Sequence, residues 1–167
     1  SMGGFVAGPK VIIDYLRYNL RSQIYAKSLP MAFVEGGLKR LEIIRSAEGD
    51  ELRKKLFTVT RALQKGFRDM GLEIGPAEAC VTPVAIKGGV VHATNIARDL
   101  RENYGIFCSI VVYPVIPKGM IIFRIIPTAA HSMEDVDYTL KTFAEVIEKL
   151  KNGYYDGDEI PDMAIHD

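Results

Sequence analysis

The sequence carries no net charge, because 21 Lys and Arg balance 21 Asp and Glu over 167 residues. Without a cationic excess there is no global electrostatic pull toward nucleic acid or an acidic membrane surface. No apolar run approaches the roughly 20 residues that span a bilayer. The N-terminal SMGGFVAGPK lacks the basic-then-apolar order of a signal peptide. Only two cysteines occur, Cys80 and Cys108, far apart and both in strand-like contexts. That argues against a disulfide framework and reads as buried thiols of a reducing, cytoplasmic environment. The G-x-S-x-G, P-loop and G-x-G-x-x-G signatures are missing. No His, Cys or carboxylate spacing suits a metal: His92 and His166 are isolated, and His131 with Glu134 is a weak pair. Internal repeats and low-complexity segments are absent too.

What remains is an ordinary globular composition, 48% hydrophobic and 25% charged, with length enough for one substantial core. Lys and Arg crowd residues 1–70, whereas residues 152–167 are acidic. GGFVAG (3–8) reads as a short strand, and Pro9 then suits the first position of a helix over 11–20. RSQIYAKSLP (21–30) is an irregular connection. A helix follows to about Ser46, Gly49-Asp50 breaks it, and a second helix runs from about Glu51 to Met70.

After Gly71 the period changes. LEIG and ACVTPVAIKGG read as strands, Pro83 marking an edge or a bulge. Residues 92–103 return to helix, and FCSIVVYPVI (107–116) and MIIFRII (120–126) form an antiparallel pair. Ser132 and Asp135 form a capping box ahead of a closing helix to about Leu150. The tail after Gly153 is expected to be loosely held. The order predicts an α+β fold: a small, mainly antiparallel sheet covered by helices, preceded by a long helical segment. The opening helix and GGFVAG have too little around them for a sheet of their own, so a longer parent is expected.

Arg124 is the residue that asks for an explanation. Strand alternation puts Ile122, Arg124 and Ile126 on one face and Ile121, Phe123 and Ile125 on the other. A guanidinium on an apolar face suits a carboxylate or phosphate held bidentately. An internal salt bridge would satisfy it equally, and spacing leaves both open. The preceding YPVIPKG, with Pro114, Pro117 and Gly119, is either a rigid site wall or a plain strand connection. His131 is suited to proton transfer or to a helix start. Arg21, Ser22, Lys27 and Ser28 cluster cations and hydroxyls in one loop, fit for a phosphate or for solvent.

Two stretches together carry a family resemblance. GGFVAG with VIIDYLRYNLRSQIYAKSLP, and later IARDLRENYGIFCSIVVYPVIPKGMIIFRIIPTAAHSMEDVD, resemble the C-terminal part of the α-oxoamine synthases over about residues 3–150. These pyridoxal-phosphate enzymes of the fold-type I aminotransferase superfamily include serine palmitoyltransferase, 8-amino-7-oxononanoate synthase, 2-amino-3-ketobutyrate CoA ligase and 5-aminolevulinate synthase. The resemblance implies a parent homodimer that condenses serine or glycine with an acyl-CoA, releasing carbon dioxide. Arg124 would hold the substrate carboxylate. Thr82, Pro83, Pro114, Pro117 and Gly119 would shape the acyl and substrate pocket. Residues 1–28 would end the cofactor-binding large domain and its linker, 29–151 would be the C-terminal α+β domain, and 152–167 an acidic flexible tail.

Two positions depart from the family pattern. The Schiff-base lysine that precedes GGFVAG in the family has no counterpart here, so no catalytic residue is assigned and the chain alone is expected to be inactive. Ala26 stands where the family carries a Ser or Thr that reaches the cofactor phosphate of the neighbouring subunit, a role that would fall to Lys27 or Ser28. The small domain of a class I/II aminotransferase and a non-catalytic binding or dimerisation module are the alternatives.

Overall fold

The computed structural model describes residues 3–157. In chain order it contains α1 (Lys10–Asn19), α2 (Arg21–Ile24), α3 (Met31–Ile44), α4 (Ala47–Asp69), β1 (Thr82–Lys87), α5 (Val90–Glu102), β2 (Ser109–Val111), β3 (Met120–Ile125) and α6 (Met133–Lys151). The chain divides into two units, one up to Glu51 and one from Leu52 onward. His166 and the tail from residue 158 lie outside the described residues.

In the first unit GGFVAG is not a strand: residues 3–9 are irregular. A strand needs a hydrogen-bonding neighbour, and the described residues of this unit supply none. Pro9 is the N-cap of α1, not its first helical residue. None of α1, α2 or α3 has a buried residue. The expected break at Gly49-Asp50 falls earlier, at Arg45-Ser46. Ser46 Oγ accepts from the Gly49 backbone N–H at 3.3 Å and so caps α4. A Cβ on Gly49 would stand 2.3 Å from the Ile43 carbonyl oxygen, so only glycine fits the tight join between α3 and α4.

In the second unit the fold class is as expected: a three-stranded antiparallel sheet, order β1-β3-β2, with helices packed on it. Val59, Leu63 and Phe67 of α4 meet Ile96 and Leu100 of α5, Val84, Ile121 and Phe123 of the sheet, and Val136, Phe143 and Val146 of α6. Phe143 is the hub, edge-on to Phe67 at 5.1 Å and to Phe123 at 6.3 Å between ring centroids. α6 opens with the expected capping box, Ser132 Oγ accepting from Asp135 N–H while the Asp135 carboxylate accepts from Ser132 N–H.

Two strands are shorter than the sequence suggests. LEIG makes a single bridge, Glu73 to Ala85, because Gly75 and Pro76 end the extended run. FCSIVVYPVI keeps only Ser109–Val111, and beyond it Pro114 has no N–H with which to continue the ladder. Pro83 does lie on an edge strand, as its missing donor requires.

Candidate functional site

Directly paired residues of antiparallel strands point their side chains to the same face. One face therefore carries Thr82, Val84 and Ile86 of β1, Ile110 of β2, and Ile121, Phe123 and Ile125 of β3, and it forms the core. The other face carries the row Pro83–Arg124–Ser109 and, beside it, Ala85–Ile122–Val111. Arg124 is thus in the central strand, on the face opposite the core. Its side chain is exposed. Among the described residues no carboxylate lies within ion-pair distance of it and no hydrogen bond engages it. Glu73, which its bridge to Ala85 puts on the same face, makes no pair with it. Among the described residues, the internal salt bridge left open by the sequence is not formed.

Thr82 is the predicted site residue whose side chain the fold sends elsewhere. It is fully buried on the core face, and its Oγ1 accepts from Gln64 Nε2 at 3.2 Å. Pro83, its neighbour, is paired with Arg124 and shares its face. Pro114, Pro117 and Gly119 lie in the exposed connection between β2 and β3, where Lys118 Nζ sits 5.0 Å from the Tyr113 ring centroid. Gly119 turns the chain with φ +85°, a value glycine adopts without strain, and its carbonyl accepts from Gly88 N–H at 3.0 Å. The fold places these residues at the Met120 end of β3, whereas Arg124 is near the Ile125 end.

His131 sits at the start of α6, on the wall of a cavity of about 290 Å³ that Leu63, Phe107, Asp135, Val136 and Thr139 also line. Its Nδ1 accepts from the Thr128 backbone N–H at 2.9 Å. The proton of the neutral ring is therefore on Nε2. Burial raises the Cys108 thiol to about 11, which leaves it protonated and unreactive at neutral pH.

In the first unit, Lys27 and Ser28 are both exposed and line a concavity of about 830 Å³ together with Arg17, Ser22 and Gln23. Among the described residues no carboxylate lines it. Two cations, two hydroxyls and an amide, all able to donate, suit a phosphate. Ala26 lies in the same wall and offers no side-chain donor. Among the described residues no group of three His, Cys, Asp or Glu could hold a metal.

A polar cluster that the sequence did not announce lies at the C-terminal end of α5. Asp99, 6% exposed, accepts from Tyr155 Oη at 2.5 Å, from Lys149 Nζ at 2.8 Å and from Asn103 Nδ2 at 2.6 Å. Burial alone would raise its carboxyl, but the bonds from Asn103, Lys149 and Tyr155 together hold it below the ordinary carboxylate range. The hydrogen bond to Asp99 pushes Lys149 up in turn. Burial, then Asp99, pushes the Tyr155 hydroxyl up. Tyr155 is 1% exposed, so residues 153–157 of the expected loose tail are held. The His92 ring adds a second tie, its Nε2 lying 2.8 Å from Asp156 Oδ1.

Known proteins give this geometry its context. The family model for aminotransferase class I and II matches residues 1–143. A cysteate-C-fatty acyltransferase of Capnocytophaga ochracea is 54% identical over 93% of the chain and 36% of its own length. An 8-amino-7-oxononanoate synthase of Petrotoga mobilis is 37% identical over 89% of the chain and 37% of its own length. Among solved structures, a Sphingomonas wittichii serine palmitoyltransferase superposes with a TM-score of 0.70 at 26% identity, over 86% of this chain and 35% of its own. The chain thus spans little more than a third of the relatives it matches. With the family model covering most of its length and these relatives around it, the chain belongs to the aminotransferase class I and II family, in its α-oxoamine synthase branch.

Proposed function

We propose that this chain supplies the substrate-carboxylate site and a cofactor-phosphate contact of a pyridoxal-phosphate-dependent acyl-CoA:amino-acid C-acyltransferase. The observation that carries the reading is Arg124: a permanent cation in a central strand, without an internal partner among the described residues, on the face opposite the core. A planar guanidinium there binds a carboxylate bidentately and fixes the orientation of the amino acid's α-carbon. Pro83 would wall the site beside it, and Pro114, Pro117 and Gly119 would close the end away from Arg124. Thr82 contributes by anchoring the edge strand to Gln64, since its side chain faces inward.

Enzymes of this branch work with pyridoxal phosphate, which when bound supplies an electron sink for charge developing at the substrate α-carbon. The cationic, donor-rich lining around Lys27, Ser28 and Arg17 suits the cofactor's phosphate. On this reading residues 1–28 belong with the cofactor-binding domain and its linker, and 29–151 form the small domain. The phosphate contact reaches a neighbouring subunit in a cytoplasmic homodimer. The covalent lysine is not among the residues of this sequence, and the groups described here bind and orient.

The net reaction joins the amino acid's α-carbon to the acyl carbonyl carbon. It breaks the thioester to release coenzyme A as its thiol, breaks the bond to the carboxylate to release carbon dioxide, and takes up one proton. Serine and glycine are candidate acceptors, and the name of the 54% identical relative adds cysteate with a fatty acyl donor.

The test uses the full-length protein with pyridoxal phosphate, palmitoyl-CoA, and cysteate, serine or glycine in turn. Free thiol and carbon dioxide should appear in equal amounts with one of the three. Amino-group transfer to a keto acid without thiol release would make it an aminotransferase. Binding of neither cofactor nor amino acid would make it a non-catalytic module.

A further inference from the structure

Ser109 pairs directly with Arg124 across β2 and β3, on the face away from the core. Its Oγ is buried and is the one buried side-chain oxygen or nitrogen without a hydrogen-bond partner among the described residues. Along the two paired rows Pro83–Arg124–Ser109 and Ala85–Ile122–Val111, every other side chain is apolar. A hydroxyl withdrawn from water and left unbonded carries a desolvation cost that alanine would avoid. Buried polar groups of that kind call for a specific reason, and here the unpaired hydroxyl stands opposite the unpaired cation.

Cβ atoms of directly opposed residues lie about 4.5–5.5 Å apart. An anion gripped by the guanidinium above this row is therefore within reach of the serine hydroxyl. A hydroxyl has one hydrogen to donate and two lone pairs. It can give that hydrogen to an oxygen of the anion while accepting from a guanidinium N–H. We infer that Ser109 is a second binding residue for the anion held by Arg124, donating to one carboxylate oxygen of a small α-amino acid and fixing the tilt of that carboxylate on the guanidinium. This inference rests on the carboxylate role of Arg124 proposed above. It predicts that Ser109 contributes to recognition of the amino acid and not of the acyl-CoA.

The experiment is a binding titration of the full-length, cofactor-loaded protein with serine, cysteate and taurine, the last retaining a sulfonate but no carboxylate. Ser109→Ala should weaken the carboxylate-bearing ligand that the wild type binds by about 10- to 100-fold, the range for a hydrogen bond to a charged group. Ser109→Thr keeps the hydroxyl and should restore binding to within about threefold of wild type. In an Arg124→Ala background the same Ser109→Ala change should cost less than about twofold, because the two groups act on one anion. The KM for acyl-CoA should not move.

Normal amino-acid binding by Ser109→Ala, or an equal loss with and without Arg124, would overturn the inference. A loss seen with taurine but not with serine or cysteate would overturn the carboxylate assignment. If the wild type binds amino acid but releases no thiol from acyl-CoA, the acyltransferase reading fails while the Ser109–Arg124 coupling is still read from the titration. If the wild type binds no amino acid, both fail.

Discussion

Arg124 and Lys149 belong to the same unit, and each is a cation set among apolar or aromatic groups, yet their surroundings are opposite. Lys149 donates to Asp99 at 2.8 Å and lies 5.0 Å from the Tyr104 ring centroid and 5.1 Å from that of Tyr154. Its charge is answered by an anion and by two ring faces. Arg124 has a serine and a proline opposite it, with no carboxylate among the described residues in ion-pair reach. The satisfied cation ties a helix, a neighbouring helix and the tail together. The unsatisfied one is held ready on a rigid strand. The two cations differ both in partner count and in burial, Lys149 being partly buried and Arg124 exposed.

The contrast breaks most readily at Arg124. Arg124→Ala in the full-length protein should lower kcat/KM for the amino acid by about 30- to 1000-fold, the loss of a charge-assisted bidentate contact of about 2–4 kcal/mol. Its melting temperature should stay within about 2 °C of wild type, since no internal bond is lost. Unchanged kinetics would remove Arg124 from the site.

Asp99→Ala should do the reverse. Removing the acceptor leaves the Tyr155 hydroxyl and Lys149 without their anion, and unfolding measured in urea should show a loss of about 2–3 kcal/mol. An intact stability would show that the cluster contributes nothing net. Tyr155→Phe sharpens the point by deleting one donor only, and a loss of about 1 kcal/mol is expected in the same assay.

The acid limb of stability should carry a smaller signature. The Asp99 carboxyl titrates below its usual range in the folded protein. The stabilisation it provides is fully present above the ordinary aspartate value near pH 4, and drains away as pH falls below it. Urea unfolding followed from pH 6 to pH 3 should therefore steepen below about pH 4 in the wild type, and less so in Asp99→Asn. Parallel curves for the two proteins would contradict this.

Much of the architecture was legible because it rests on short-range rules. MIIFRI announced both faces of β3 through its alternation, and Ser132 with Asp135 announced the start of α6 through its spacing. The Asp99 cluster was not legible. Its partners Lys149 and Tyr155 stand 50 and 56 residues away, and an aspartate inside an amphipathic helix reads as a solvent residue. A buried tyrosine inside an acidic tail was equally invisible, because composition argued for solvent. GGFVAG misled for the opposite reason: its residues suit a strand, but strand formation depends on a neighbour that local sequence does not specify. Of the site, the face and cation were readable at Arg124. The inward turn of the Thr82 side chain and the orphaned hydroxyl of Ser109 follow from register, which only the assembled sheet fixes.

The strand order β1-β3-β2 has a further consequence for how the candidate site behaves over time. Edge strands open first in the local fluctuations of a sheet, while a strand bonded on both sides opens only when a neighbour lets go. Met120–Ile125 is that inner strand, so the amides around Arg124 should be among the slowest in the unit to exchange with deuterium, with Ser109 and Pro83 on the strands that loosen earlier. The cation thus keeps its position while the two walls beside it breathe. A ligand held by Arg124 would keep its fixed point while the strands on either side of β3 loosen.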